Sequence, residues 1–136
     1  MLIIKPVQDK NYQKELCARC GVEFDPDLLA YAAFINDAPD SKNPGEFIGI
    51  CQFRMGKEAH IVDLAKAIGT DDTEAMFIMG RQTMNFIDLH GVHYAYFDAD
   101  LDEKFIMWLG FKKDENGRWA ADLEEFFSHP CASEKK

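Results

Sequence analysis

Cys17 and Cys20 stand three residues apart as Cys-Ala-Arg-Cys, the spacing of a redox pair or of half a zinc site. His129-Pro130-Cys131 near the C-terminal end would complete four nominal zinc ligands. Two features weigh against that chemistry. The first pair falls in a segment of helical periodicity rather than in a tight turn, and the second pair lacks ligand spacing. With Cys51, the four cysteines are read as ordinary reduced side chains, and no metal site is expected. His90 and His93 bracket a helix-to-strand turn, and His60 is placed by alternation on the face of Val62; none is read as a ligand. A run of acids, Asp71, Asp72 and Glu74, opens the longest helical pattern. Asp71 reads there as an N-cap with Glu74 three residues on, a capping box that also suits the helix dipole.

These residues are positioned by a regular alternation of elements. Leu2 to Val7 reads as a strand, and Asp9 caps a helix carrying Tyr12, Leu16, Cys17 and Cys20, which Gly21 stops. Leu28 to Ile35 and Phe47 to Phe53 are β-like runs joined by the turn formers of Asn36 through Gly45, and His60 to Ala65 is a third. From Thr73 to His90 the residues Met76, Met79, Thr83 and Ile87 line one face while Glu74, Arg81, Asn85 and Asp88 line another. A buried strand from Val92 to Phe97, a short helix from Leu101 to Leu109 and a hairpin around Asn116-Gly117 complete the order. The pattern β-α-β-β-β-α-β-α-β-β predicts an α/β (α+β) fold, a mixed sheet flanked by helices. The helix at 73–90 must cross over between two parallel strands.

The chain has 136 residues, with 15 Lys plus Arg against 24 Asp plus Glu, for a formal net charge of −9. A content of 47% hydrophobic residues, with eleven Phe, supplies a core for one domain, expected over residues 1–132, with 133–136 as a loose tail. The negative balance argues against nucleic acid or an anionic membrane as partner, because those are held by Lys and Arg. No signal peptide or membrane span is evident, which points to the cytoplasm.

The strand–long helix–strand unit from His60 to Phe97, the short helix ending in Trp108-Leu109-Gly110-Phe111, and Gly49 within the middle strand together resemble the Gcn5-related N-acetyltransferase (GNAT) family. The resemblance covers nearly the whole chain by element order. It implies acetyl-CoA as cofactor and transfer of an acyl group to a small-molecule or peptide amine. The backbone of Leu64, Ala65 and Lys66 would then face the acyl group. The pyrophosphate would fall at Gly69, Thr70, Asp71, Asp72, Thr73, Glu74 and Ala75, with Lys66 the nearest cation and Lys104 on the short helix a second. Asp63, opposite in direction to Val62 and Leu64, is either the base for the amine or a solvated side chain.

Two positions depart from the family pattern. Where the family has a glycine-rich turn, Asp71 to Met76 carry no glycine and no base, and each carboxylate near a phosphate costs it ~1–3 kcal/mol. Where a tyrosine commonly protonates the leaving thiolate stands Ile106; Tyr94 and Tyr96 are the substitutes at hand, or else sheet residues chosen for packing. Three expectations follow: an N-acyltransferase; a non-catalytic binding or regulatory module of the same fold; or a structural domain that forms a homodimer through a strand edge.

Overall fold

The computed structural model describes residues 1–36 and 45–128. Most of the loop expected at 36–45, the His129-Pro130-Cys131 group and the tail at 133–136 lie outside the described residues. Strands β1 (Leu2–Pro6), β2 (Leu29–Ile35), β3 (Glu46–Arg54), β4 (Ala59–Lys66), β5 (Tyr94–Phe97), β6 (Lys112–Lys113) and β7 (Trp119–Asp122) form one sheet in the order β1-β2-β3-β4-β5-β7-β6. Helices α1 (Lys10–Cys20), α2 (Thr73–Leu89), α3 (Glu103–Leu109) and α4 (Leu123–Ser128) pack on its faces.

Both long helices begin and end where local chemistry dictates. Asp9 accepts the N–H groups of Asn11 and Tyr12 at 2.8 and 3.3 Å, and Gly21 at φ +71° closes α1 in the left-handed conformation. Leu16 and Cys17 of α1 pack on Ala30, Ala32, Phe34, Phe47 and Ile50, one face of the sheet. On the other face α2 buries Met76, Met79, Met84 and Ile87 against Cys51, Phe53, Ile61 and Leu64. Each such side chain contributes about 1.5–3 kcal/mol on leaving water. Ile106 and Leu109 of α3 and Leu123 of α4 extend the same core.

The crossover is as the periodicity predicts: β4 and β5 flank α2 in sequence and pair in parallel. Two local features differ from expectation. Asp122, whose carboxylate accepts the Glu125 N–H at 3.1 Å, starts α4, a six-residue helix too short to leave a periodic signal. The hairpin around Asn116-Gly117 is organised by Asp114, which accepts from Asn116 and Arg118 N–H groups at 2.9 Å each. Only Gly117 takes positive φ (+80°), so the turn is a three-residue loop rather than a tight two-residue one.

Candidate active site

Strands β4 and β5 pair over only three residues, Ala59↔Ala95, His60↔Tyr96 and Ile61↔Phe97, and then part. Beyond Ile61 no strand among the described residues pairs with β4 on the β5 side, and a cavity of about 590 Å³ opens there. It is lined by Leu64, Ala65, Lys66, Thr73, Met76, Leu101, Asp102, Phe105 and Cys20. Gly49 keeps the cleft in shape. A Cβ there would press on Met76 Cε and stand 2.8 Å from the Ala65 carbonyl oxygen, so β3, β4 and α2 approach one another only at a glycine.

The mouth of this cleft is the start of α2. Gly69 (φ +93°) and Thr70, whose hydroxyl donates to the Ala67 carbonyl at 2.8 Å, turn the chain out of β4. The helix cap is Asp72, accepting the Ala75 N–H at 2.9 Å, rather than Asp71; Glu74 therefore occupies the second helical position and makes no capping box. Asp71 is exposed and pairs with Lys66 at 2.6 Å, which holds its carboxyl below the usual carboxylate range. The cleft thus suits an uncharged, flexible arm, whereas the helix end at its mouth holds a carboxylate and a lysine already paired with Asp71. Thr73 lines the cleft, and Lys104 sits exposed on α3 beside Phe105.

Asp63 lies on the α1 face of β4, outside the residues that line the cleft. The register between β3 and β4 slips by one residue, Gln52↔Asp63 but Phe53↔Ile61, so Val62 forms a bulge. Strict alternation separates His60 from Asp63; the bulge instead puts both on the face shared by Gln52 and Arg54. There Asp63 opens into a hollow of about 390 Å³ lined by Glu23, Phe24, Asp25, Pro26, Leu28, Arg54 and Val62. Its Oδ2 accepts from Gln52 Nε2 at 2.7 Å. Burial drives the Asp63 pKa up, the Gln52 hydrogen bond opposes this, and the nearby Glu23 charge adds to it.

Neither Tyr94 nor Tyr96 lines the cleft. Tyr96 stacks on His60 (5.2 Å between centroids) and lies under the Arg118 guanidinium at 3.7 Å, while Tyr94 meets Tyr96 edge-on. Ile106 is buried in the core. His60 Nδ1 pairs with Asp98 at 2.9 Å, His93 with Asp88 at 2.6 Å, and His90 with the Phe86 carbonyl at 2.8 Å. Burial pushes the thiols of Cys17 and Cys20 up to about 11 and about 12, far from a reactive thiolate. Among the described residues no three His, Cys, Asp or Glu side chains gather as a metal site. Sequence reasoning did not reach Gln52, Glu23 or Arg54, because their places arise from pairing across strands and loops.

No protein-family model and no curated protein matches the sequence. Solved structures do. An IAA acetyltransferase from Bacillus cereus superposes with a TM-score of 0.68 at 15% identity, covering 90% of this chain and 100% of that one. A ribosomal-protein alanine N-acetyltransferase from Escherichia coli gives 0.65 at 12% identity, over 90% and 94% of the two chains. AtaTR bound with AcCoA gives 0.63 at 17%, over 93% and 96%. The chain has the GNAT fold.

The same fold corrects one expectation. A KacTA–DNA complex (TM-score 0.61, 17% identity, 94% and 99% covered) and AtaT complexed with acetyl-methionyl-tRNAfMet (0.61, 14%, 94% and 98%) are both similar to this chain. The absence of a nucleic-acid partner therefore does not follow from the net charge of −9. Bulk charge sums the whole surface, whereas a bound strand meets one face of it. No helix of the described residues is long and apolar enough to cross a membrane.

Proposed function

We propose that the chain is an acyl-CoA-dependent N-acyltransferase, with the donor arm in the β4–β5 cleft and the amine in the Asp63 hollow. The observation that carries this reading is the parting of β4 from β5 after Ile61, which frees one edge of Leu64–Lys66 beside an apolar cavity. Acyl-CoA supplies, when bound, a thioester carbonyl. The free β4 edge offers main-chain N–H groups toward charge developing on that oxygen. Met76 and Phe105 exclude water from the arm, and Lys66 is the cation that lines the cleft, with Lys104 exposed on α3.

The amine enters from the α1 face. Asp63, its pKa raised by burial, takes a proton from the ammonium and so frees the nitrogen lone pair that attacks the thioester carbonyl. Glu23 and Asp25 favour a cationic amine at the same hollow, and Phe24 and Leu28 receive its apolar part. No tyrosine lines the cleft among the described residues, and the proton that the acylated nitrogen gives up would reach the leaving thiolate through water.

The test is release of free CoA from acetyl-CoA with a panel of acceptors: spermidine, an aminoglycoside, a lysine peptide and methionyl-tRNA. The last belongs in the panel because a similar structure holds an acetylated aminoacyl-tRNA. The reading predicts acceptor-dependent turnover that Asp63→Asn reduces by about 10²-fold or more. One observation favours the second reading, a binding module without chemistry: the Asp72 carboxylate at the Ala75 N–H. That reading predicts no acetyl-CoA binding at millimolar concentration and no turnover with any acceptor.

A further inference from the structure

We infer that Gln52 is a positioning residue for Asp63, and that Gln13 and Lys10 fix the direction in which its amide points. The inference rests on Asp63 as the base of the proposed reaction. Four side chains from α1, β3 and β4 form one directed chain. Lys10 Nζ donates to Gln13 Oε1 at 3.0 Å, Gln13 Nε2 donates to Gln52 Oε1 at 2.8 Å, and Gln52 Nε2 donates to Asp63 Oδ2 at 2.7 Å. Gln13 and Gln52 are both wholly inaccessible to solvent.

The side contacts agree with that direction. Lys10 also donates to the Leu28 carbonyl at 2.6 Å, Gln13 Nε2 to the same carbonyl at 3.3 Å, and Gln52 Nε2 to the Glu23 carbonyl at 2.8 Å. An ammonium has donors only, so it fixes the oxygen of Gln13 toward itself. The nitrogen of Gln13 must then face Gln52, and the nitrogen of Gln52 must face Asp63. Each amide dipole consequently points its positive end at the carboxylate.

A core that needed only filling would be served better by two apolar side chains, since buried amides cost stability unless every group is paired. Here they are paired, and the end of the chain is a titratable group at a hollow. Reversal of Gln52 would set an oxygen against Asp63 and favour its protonated form. The charged and titratable groups that face Asp63 are Glu23 and Asp25 on the segment after α1, Arg54 on β3, and Cys17 and Cys20 on α1, while Cys51 of β3 points to the α2 face. Among these neighbours, Gln52 is the side chain that donates a hydrogen bond to the carboxylate.

The test is a carboxyl ¹³C titration of Asp63 in the full, unliganded chain, comparing wild type with Gln52→Leu, Lys10→Met and Lys10→Arg. Gln52→Leu is expected to raise the Asp63 midpoint by about one pH unit. Lys10→Met is expected to raise it by a smaller amount, and Lys10→Arg to leave it near wild type. The acid limb of kcat/KM, read with the acceptor that the panel identifies, should move in the same order. A purely structural role would instead lower the rate equally at every pH. Lys10 is partly exposed, so Lys10→Met carries the test if Gln52→Leu does not fold. Unchanged midpoints in the variants that fold overturn the inference. If Asp63→Asn keeps full activity while the midpoints still shift, the base assignment fails and the positioning of Asp63 by Gln52 stands.

Discussion

The Asp72 carboxylate accepts the Ala75 N–H at 2.9 Å, at the helix end where the proposed acyl donor would bring its diphosphate. A cap and an anion compete for the same donors, and the cap is itself an anion. Asp72→Ser keeps a capping oxygen while removing the charge. Acetyl-CoA affinity is expected to rise by about fivefold, corresponding to ~1 kcal/mol of relieved repulsion, with little change in melting temperature. Calorimetric titration of both proteins checks it; equal or weaker binding by the variant contradicts the repulsion.

At Gly49 the backbones of β3 and β4 and the Met76 side chain of α2 leave no room for a Cβ. Met76 Cε can swing away from an added methyl, but the Ala65 carbonyl, 2.8 Å from it, belongs to the backbone of the cleft. Gly49→Ala is expected to cost ~1–3 kcal/mol in urea unfolding and to weaken acetyl-CoA binding in parallel. A variant as stable as wild type would mean the strands yield more readily than their packing implies.

Asp63 holds a charge where burial opposes it, so its folded-state pKa lies above the ordinary 3.8. The folded chain then binds this proton more tightly than the unfolded chain, and wild type loses stability as pH rises from 3.8 through the raised value. Asp63→Asn removes the charge and keeps a partner for Gln52. It is expected to melt a few degrees higher at pH 7, roughly 2 °C, with the difference vanishing below pH 3.8. Melting curves across that range decide it. A loss of stability at pH 7 would count against a site strained for function.

His93 and Asp88 pair across the turn from α2 to β5, and the hydrogen bond that the His93 ring donates to the Asp88 carboxylate raises the His93 pKa. The stabilisation is fully present below the unfolded value of 6.5 and is lost as pH rises through the higher folded value. The difference in urea midpoint between wild type and Asp88→Asn should therefore be larger at pH 5.5 than at pH 9. The same difference at both pH values would remove His93 from the explanation.

The elements were legible wherever one period ran unbroken. The spacing of Met76, Met79, Thr83 and Ile87 gives the crossover helix, and with it the parallel pairing of β4 and β5. Two adjacent aspartates both suit a cap, and the choice between Asp71 and Asp72 depends on how Gly69 and Thr70 turn the chain, which spacing does not reveal. The bulge at Val62 reverses the alternation that separates His60 from Asp63, a consequence of pairing with β3. The cleft positions Leu64, Ala65 and Lys66 were within reach through the resemblance. The Gln13–Gln52 contact was not, since it joins residues 39 apart in the chain.

The account turns on where an acyl donor lies, and backbone amide chemical shifts under titration with acetyl-CoA test that most directly. The prediction is that the largest perturbations fall on Leu64, Ala65 and Lys66, with smaller ones on Thr73, Glu74 and Phe105. No perturbation at millimolar acetyl-CoA, or perturbations centred away from the parted β4 and β5, would contradict it.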